Sequence, residues 1–477
     1  MMSTPQTHDQ QHDQQHQQSS SGRRCEFRDD VAEYLEEVWD RSASGQRFAD
    51  LCERLAIPPA HTCLRINTLV NTREEAIQTL ARELEGTDYK FEQHPKLDDV
   101  LILPAIGPRR VVPDKEGLFV VVDAACGAAV LRGSDVFVPG IRACSSGVHS
   151  GARVAVYADV HKACSTGQTK LPPAEERAAK KIVFVGNGIA HFDRADVFRS
   201  SDAVTSGLGV EMGDIEFQTP CLGHLDRSLV LQNLPSCVAS HVLAPQPGEH
   251  VVDMCAAPGG KTAHIAALMN NTGRITAYER STKRCAALVQ WLETVGVTCC
   301  SVFKMDARKC CLQALPQSSP SPSSSSLSSS SSQAVEKKKV QAGSVDRVLL
   351  DAPCTGLGQR PKFEHATPLT DVIEAPSFQK KLFRTAVALL KPGGTLVYST
   401  CSFNPEENEG VVAWALAEFP HDIEIAQQVP YIGEAGVQYE GLSEEARQRV
   451  QRFTPSSTCD TIGFFIAKFI KKPPNPP

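Results

Sequence analysis

From about residue 229 onward, short runs rich in Val, Ile and Leu alternate with longer amphipathic stretches, and this rhythm limits the fold more than any other feature of the sequence. "HVVDM" (250–254), "RITAYE" (274–279), "SVFKMD" (301–306), "DRVLLD" (346–351) and "GTLVYST" (394–400) read as strands. "KTAHIAALM" (261–269), "STKRCAALVQWLETVG" (281–296), "FQKKLFRTAVALL" (378–390) and "EENEGVVAWALAEF" (406–419) read as helices, and "TIGFFIAKFI" (461–470) as a closing edge or hairpin strand. Strand and helix taken in turn predict an α/β domain with a doubly wound, Rossmann-like sheet. Ligands of such sheets bind beyond the carboxyl ends of the strands, so the residues that follow each apolar run are the candidates for chemistry.

The first of these loops is "DMCAAPGGK" (253–261). Gly259 and Gly260 let backbone amides approach a ligand, and a helix that begins there favours the ligand's negative groups. The loop is neither a Walker A sequence nor G-x-G-x-x-G, which sets phosphate and dinucleotide binding aside as the first reading. The next strands end in acids: Glu279, Asp306 and Asp351. A lone acid at a strand end ordinarily opens a turn or caps a helix. Three in succession beside a Gly-rich loop point instead to a nucleoside-type cofactor, with Glu279, about 20 residues past the glycines, placed to accept hydrogen bonds from a ribose.

The remainder of the chain divides by composition. A Gln/His/Ser-rich head (1–23) has almost nothing to bury and is expected to be disordered. An N-terminal α/β region (24–111) contains the amphipathic "DDVAEYLEEVWDR", the strand-like "CLRINTLV" and the helical "REEAIQTLARELEG". Residues 112–210 hold β-branched runs punctuated by Gly, Pro and Ser, the pattern of a small β-rich module. The α/β domain is expected over 211–474, interrupted by a disordered Ser-rich loop (316–339). No apolar run reaches the roughly 20 residues that span a bilayer, and the polar N-terminus has no signal-peptide core, so a cytoplasmic or nuclear location and no membrane partner are expected. Seventeen cysteines without a Cys-x-x-Cys pair argue against a disulfide framework and a zinc ribbon. No metal is expected. The net charge of −6 neither favours nor excludes nucleic acid, since binding depends on local patches. Nothing in the sequence fixes the oligomeric state; a monomer is the default.

Two cysteines follow strand ends: Cys354 in "DAPCTGLGQRP" and Cys401 in "YSTCSFNPEENE". Either could be a buried thiol, a ligand or a nucleophile. "DMCAAPGGKT", "DAPCTGLGQRP" and "YSTCSFNPEENE", in this order, resemble the motifs of the Nop/Sun family of RNA cytosine-5 methyltransferases over about residues 225–470. "CGAAVLRGSDVFVPGI" (126–141) and "VFVGNGIA" (183–190) resemble a PUA RNA-binding module, which together with the ending "GFFIAKF" points to the PUA-containing tRNA-modifying branch of that family.

The resemblance implies S-adenosylmethionine as cofactor, lined by Cys255, Ala256, Ala257, Pro258, Gly259, Gly260 and Lys261, with Glu279 on its ribose and Asp306 near its adenine. It implies Cys401 as nucleophile, Cys354 as the thiol that assists release, and Asp351 and Lys261 at the methionine end or the target base. Thr355 stands where the family more often has serine, which keeps the hydroxyl. The chemistry suits two thiols: a thiolate adding to carbon 6 makes carbon 5 nucleophilic, and a second group must then help free the product. The implied partner is RNA, most simply tRNA methylated near its acceptor end, with Arg132, Lys162 and Asn187 as candidate RNA contacts. Two other readings stay open: a DNA cytosine-5 methyltransferase with Cys354 as nucleophile, and a non-catalytic RNA-binding or assembly factor.

Overall fold

The computed structural model describes residues 23–42, 47–114, 117–198, 206–218, 222, 227–312, 338–455 and 460–474. The expectations for the polar head and the Ser-rich stretch fall, except for residues 23, 338 and 339, outside these residues.

Each strand read in the C-terminal half forms, and the strands assemble into one sheet. Its order is Cys300–Lys304, Arg274–Glu279, His250–Asp253, Val345–Asp351, Leu390–Thr400, Phe464–Lys471 and Ile423–Ile425, with Gln451–Phe453 also paired to Phe464–Lys471. The first five are parallel. After His250–Asp253 the chain steps outward twice and returns on the other side as Val345–Asp351, so the switch point of the sheet lies between these two strands. Their carboxyl ends carry Asp253 and Asp351, and a crevice opens between them. The helices Gly260–Leu268, Thr282–Thr294, Leu369–Leu389 and Glu409–Glu418 follow the strands in turn.

Of the two expectations for Phe464–Lys471, edge or hairpin strand, the second holds: it pairs antiparallel with the preceding strand Gln451–Phe453, but it lies inside the sheet rather than at its edge. It runs antiparallel between Leu390–Thr400 on one side and Ile423–Ile425 and Gln451–Phe453 on the other. Phe464, Phe465, Ile466, Ala467 and Phe469 are all buried, because a strand covered on both faces reads as a continuous apolar run rather than an alternating one. The helix read from Phe378 begins nine residues earlier, at Leu369, and carries Pro376 inside it.

The N-terminal region and the C-terminal sheet are not laid out end to end. Leu229–Leu231 pairs with His61–Ile66 in a sheet ordered Leu229–Leu231, His61–Ile66, Val100–Pro104, Glu92–Gln93. Between Val100–Pro104 and Leu229–Leu231 lies a six-stranded, β-rich insert, ordered Val136–Phe137, Leu208–Ile215, Ile182–Ala190, Arg153–Asp159, Phe119–Asp123, Ile141–Cys144. Its two outermost strands are separated in sequence only by the 3-10 turn Val138–Gly140, so the sheet curls until its edges meet. Leu208–Ile215 runs through the 210/211 boundary expected from the sequence. The insert is closed off at its base by reciprocal backbone hydrogen bonds between Ile106 and Gln218 (2.9 and 2.8 Å). A Cβ on Gly107 would stand 2.5 Å from the Glu216 carbonyl oxygen, so the neck requires glycine there.

Candidate active site

A cavity of about 850 Å³ opens at the switch point. Its floor is the loop Met254–Lys261, and Glu279, Asp306, Asp351, Cys354 and Cys401 line its walls. Residues from five strand ends, from Met254 to Cys401 in the chain, thus meet in one place for a topological reason: each stands at or just beyond the carboxyl end of a parallel strand. Arg132 from the insert and His61 and Gln232 from the N-terminal region complete the rim.

The Gly-rich loop is fixed by packing. Gly259 has φ of +110°, and a Cβ there would lie 2.7 Å from both Leu288 and Trp291. Only glycine lets the loop pass under the helix Thr282–Thr294 and present the first turn of Gly260–Leu268 to the cavity. Beneath it, Asp253 accepts from the Thr262 hydroxyl (2.7 Å) and the Cys255 amide (3.3 Å). Burial pushes the Asp253 carboxyl up to about 6.

Around the cofactor loop the acids are individually set. Glu279 is buried, accepts from the Ser281 amide (2.7 Å) and lies 3.5 Å from the Arg284 guanidinium, which also donates to the Ala257 carbonyl (2.7 Å). Asp306 caps the turn Ala307–Lys309 and is clasped by Arg308, whose hydrogen bonds hold its carboxyl below the usual range. A carboxylate at the second strand end, an acid at the third, a helix N-terminus and a buried Lys–Asp pair make a donor and acceptor set suited to a ribose, a purine and an amino-acid end. S-adenosylmethionine has all three, and the site fits it.

The two cysteines are in contact: Cys354 Sγ lies 3.4 Å from Cys401 Sγ. Lys261 donates to Asp351 (2.9 Å) and sits over the Phe464 ring, 5.1 Å from its centroid; the other Asp351 oxygen accepts from the Ser399 hydroxyl (2.7 Å). The hydrogen bond shared with Cys354 lowers the Cys401 thiol to about 7, with Lys261 acting in the same direction; that same bond and burial push Cys354 well up. The two sulfurs thus share one hydrogen bond, and the direction of the shifts favours charge on Cys401 over Cys354.

Glu407 is the residue that sequence reasoning missed. It lies fully buried in the turn Pro405–Glu407 and accepts from the Thr355 amide and hydroxyl, the Ser402 hydroxyl and the Gln379 amide. The signal was present in "NPEENE", but a run of acids reads as a solvated helix start, and nothing local distinguishes the buried one. Arg360 was also passed over. Its buried guanidinium pairs with Asp460 and donates to the Ile57 and Pro58 carbonyls, fastening the motif loop to the N-terminal region.

The three candidate RNA contacts separate. Arg132 lines the cavity and reaches toward the Pro361 carbonyl (3.5 Å). Lys162 is exposed, with a left-handed backbone (φ 56°), and is not part of the cavity wall. Asn187 is corrected to a structural role: it is buried, donates to the Val112 carbonyl (2.9 Å) and accepts from the Asp114 amide (3.0 Å). Both ends of its amide are consumed in holding the neck of the insert.

Comparison with known proteins bears on this geometry. The family model described as 16S rRNA methyltransferase RsmB/F matches residues 240–318 and 323–470. The human tRNA (cytosine(72)-C(5))-methyltransferase NSUN6 is 35% identical over 93% of this chain and 97% of its own length. The tRNA (cytosine(72)-C(5))-methyltransferase of Pyrococcus horikoshii is 30% identical, covering 93% of this chain and 97% of its own. The crystal structure of NSun6 from Pyrococcus horikoshii with SFG, an analogue of S-adenosylmethionine, superposes with a TM-score of 0.72 at 28% identity, over 94% of this chain and 99% of that one. The chain belongs to the RsmB/F, or Nop/Sun, family of S-adenosylmethionine-dependent RNA (cytosine-5)-methyltransferases.

Proposed function

We propose that this enzyme methylates a cytosine near the acceptor end of tRNA through a covalent adduct, with Cys401 as nucleophile and Cys354 as the thiol that assists release. The observation that carries the reading is the pair of sulfurs 3.4 Å apart beside the Lys261–Asp351 pair. The relatives named for cytosine 72 of tRNA span nearly this whole chain, which supports the choice of substrate.

The residues divide the reaction among them. Cys401, as thiolate, adds to carbon 6 of the ring, and the ring electrons move to carbon 5. Asp351, fixed by Ser399 and Lys261, is placed to accept a hydrogen bond from the amidine edge and so orients the ring over Cys401. Bound S-adenosylmethionine supplies an electrophilic methyl group. Carbon 5 gives its proton to solvent water acting as base, the C–H pair restores the ring double bond, and the carbon–sulfur bond breaks with its electron pair returning to Cys401. The Cys354 thiol, 3.4 Å from that sulfur, then donates its S–H to it and stabilises the leaving thiolate.

The target base must leave its stack to reach buried thiols, which favours an RNA end over a duplex interior. We assign the β-rich insert as a PUA-like module that seats the RNA end, with Arg132 at the boundary between insert and cavity. The test uses the full-length protein, tRNA transcript and labelled S-adenosylmethionine. Cys401→Ala is expected to abolish turnover and adducts, and Cys354→Ala to accumulate a denaturation-resistant RNA conjugate. Reversed outcomes would sink the assignment of roles. Label in DNA alone would identify a DNA methyltransferase, and binding of tRNA and cofactor without 5-methylcytosine would identify a non-catalytic factor.

A further inference from the structure

Cys354 and Cys401 sit on loops that follow different strands, 47 residues apart, yet their sulfurs are held in contact. Backbone pairing does not account for this on its own, since Asp351 and Ser399 are the last residues paired between the two strands. Beyond them the Gly358 amide donates to the Cys401 carbonyl (3.0 Å), and one carboxylate also ties together the residues that follow the two cysteines. Glu407 Oε1 accepts from the Thr355 amide (3.0 Å) and the Gln379 side-chain amide (2.9 Å); Oε2 accepts from the Thr355 hydroxyl (2.5 Å) and the Ser402 hydroxyl (2.7 Å). Two of these donors belong to the residue after Cys354 and one to the residue after Cys401. The Tyr398 hydroxyl in turn donates to the Glu407 carbonyl (2.6 Å), which fixes the backbone from which the carboxylate projects.

A carboxylate has about four acceptor sites, and here four donors fill them. The group is planar and buried, so its two oxygens hold Thr355 and Ser402 at a set separation. Without it, the two hydroxyls, 3.3 Å apart, would lose the acceptor they share, and the Thr355 amide and the Gln379 side chain would each lose a buried acceptor. We propose that Glu407 is a positioning residue that holds Cys354 against Cys401 and thereby sets the rate of RNA release. The proposal rests on the two-cysteine reading above. Its basis is geometric rather than ionic. In Glu407→Gln the amide oxygen can keep the two N–H donors, while the NH₂ group donates to both hydroxyls after they rotate. Thr355 contributes through its hydroxyl and amide, so serine at this position should serve equally well.

The test is steady-state and single-turnover methylation of a tRNA transcript by the full-length protein, with the fraction of RNA in a denaturation-resistant conjugate read on gels. Cofactor affinity is measured by titration and folding by thermal unfolding. Glu407→Ala and Thr355→Val are expected to lower turnover by about 100-fold, the scale of a 1 Å misplacement at a reacting centre, while the conjugate fraction rises and cofactor affinity stays constant. Glu407→Gln and Thr355→Ser are expected to retain turnover to within about threefold, less than half of the 1.4 kcal/mol that a tenfold change represents. If Glu407→Ala fails to fold, Thr355→Val carries the test. Several outcomes would overturn the proposal: wild-type behaviour of both disruptive variants, a loss in Thr355→Ser or Glu407→Gln as deep as in its disruptive counterpart, or slowed turnover without added conjugate. Cys401→Ala, run in parallel, separates the two claims, because turnover persisting there would remove the cysteine assignment rather than the role of Glu407.

Discussion

Cys401 and Cys354 carry the same functional group, and their surroundings decide what each can do. The shared hydrogen bond and Lys261 favour charge on Cys401, while the bond to Cys401 and burial disfavour it on Cys354. The sign follows directly. With Cys401 as the proposed nucleophile, active as the thiolate, activity is expected above its value of about 7 and is lost as pH falls through it. The single-turnover rate should therefore fall below about pH 7, and Lys261→Met should move that midpoint upward; an unchanged midpoint would remove Lys261 from the electrostatics. The residue pattern alone could not rank the two cysteines, because each follows a strand with small and hydroxyl residues beside it. The family resemblance ranked them, and the asymmetry of their partners supports that order. Asn187 shows the opposite problem: a polar residue in a Gly-rich run reads as a ligand contact, while the chain folds so that its amide holds backbone 75 residues away.

At the scale of elements, the loops were the most legible part of the sequence, because their glycines answer to steric demands that no other residue meets. Gly259→Ala places a side chain at φ of +110° and 2.7 Å from Leu288 and Trp291. The strain is on the order of 1–3 kcal/mol before any shift of the helix, so S-adenosylmethionine affinity measured by titration should fall together with the unfolding midpoint. An affinity that held would mean that the loop can reach the cofactor by another path. Gly358 is comparably constrained, since a Cβ there would stand 2.1 Å from the Gly463 oxygen. Strand order was less legible. "FFIAKF" announces burial but not which neighbours provide it, and Leu229–Leu231 is too short to reveal that it pairs with a strand more than 160 residues earlier. Periodicity identifies elements, whereas their partners are chosen by surfaces that exist only once the chain has folded.

The whole molecule is tied together at places the sequence does not advertise. Asp99, from the N-terminal region, accepts from His241 and from His264 of the cofactor helix (2.7 Å each), and burial holds His264 down to about 4, so it stays uncharged at neutral pH. Arg360, six residues beyond Cys354, grips the segment at Ile57 and Pro58. Phe363, three residues further on, is packed in the core of the insert, where Gly127 leaves room for its ring. The stretch from Cys354 to Phe363 is thus one continuous piece running from the reacting sulfurs to the module assigned to the RNA end, buttressed at its midpoint. Such a piece acts as a ruler. With the RNA terminus seated on the insert as proposed, the thiols lie at a fixed reach from it, and the target cytosine is expected to be chosen by its distance from the end as well as by its neighbours. Transcripts extended by one and two nucleotides at the 3′ terminus should lose methylation at the original cytosine, or shift it by the added length, in position-resolved mapping. Methylation unmoved by the extension would mean that the distance is measured elsewhere.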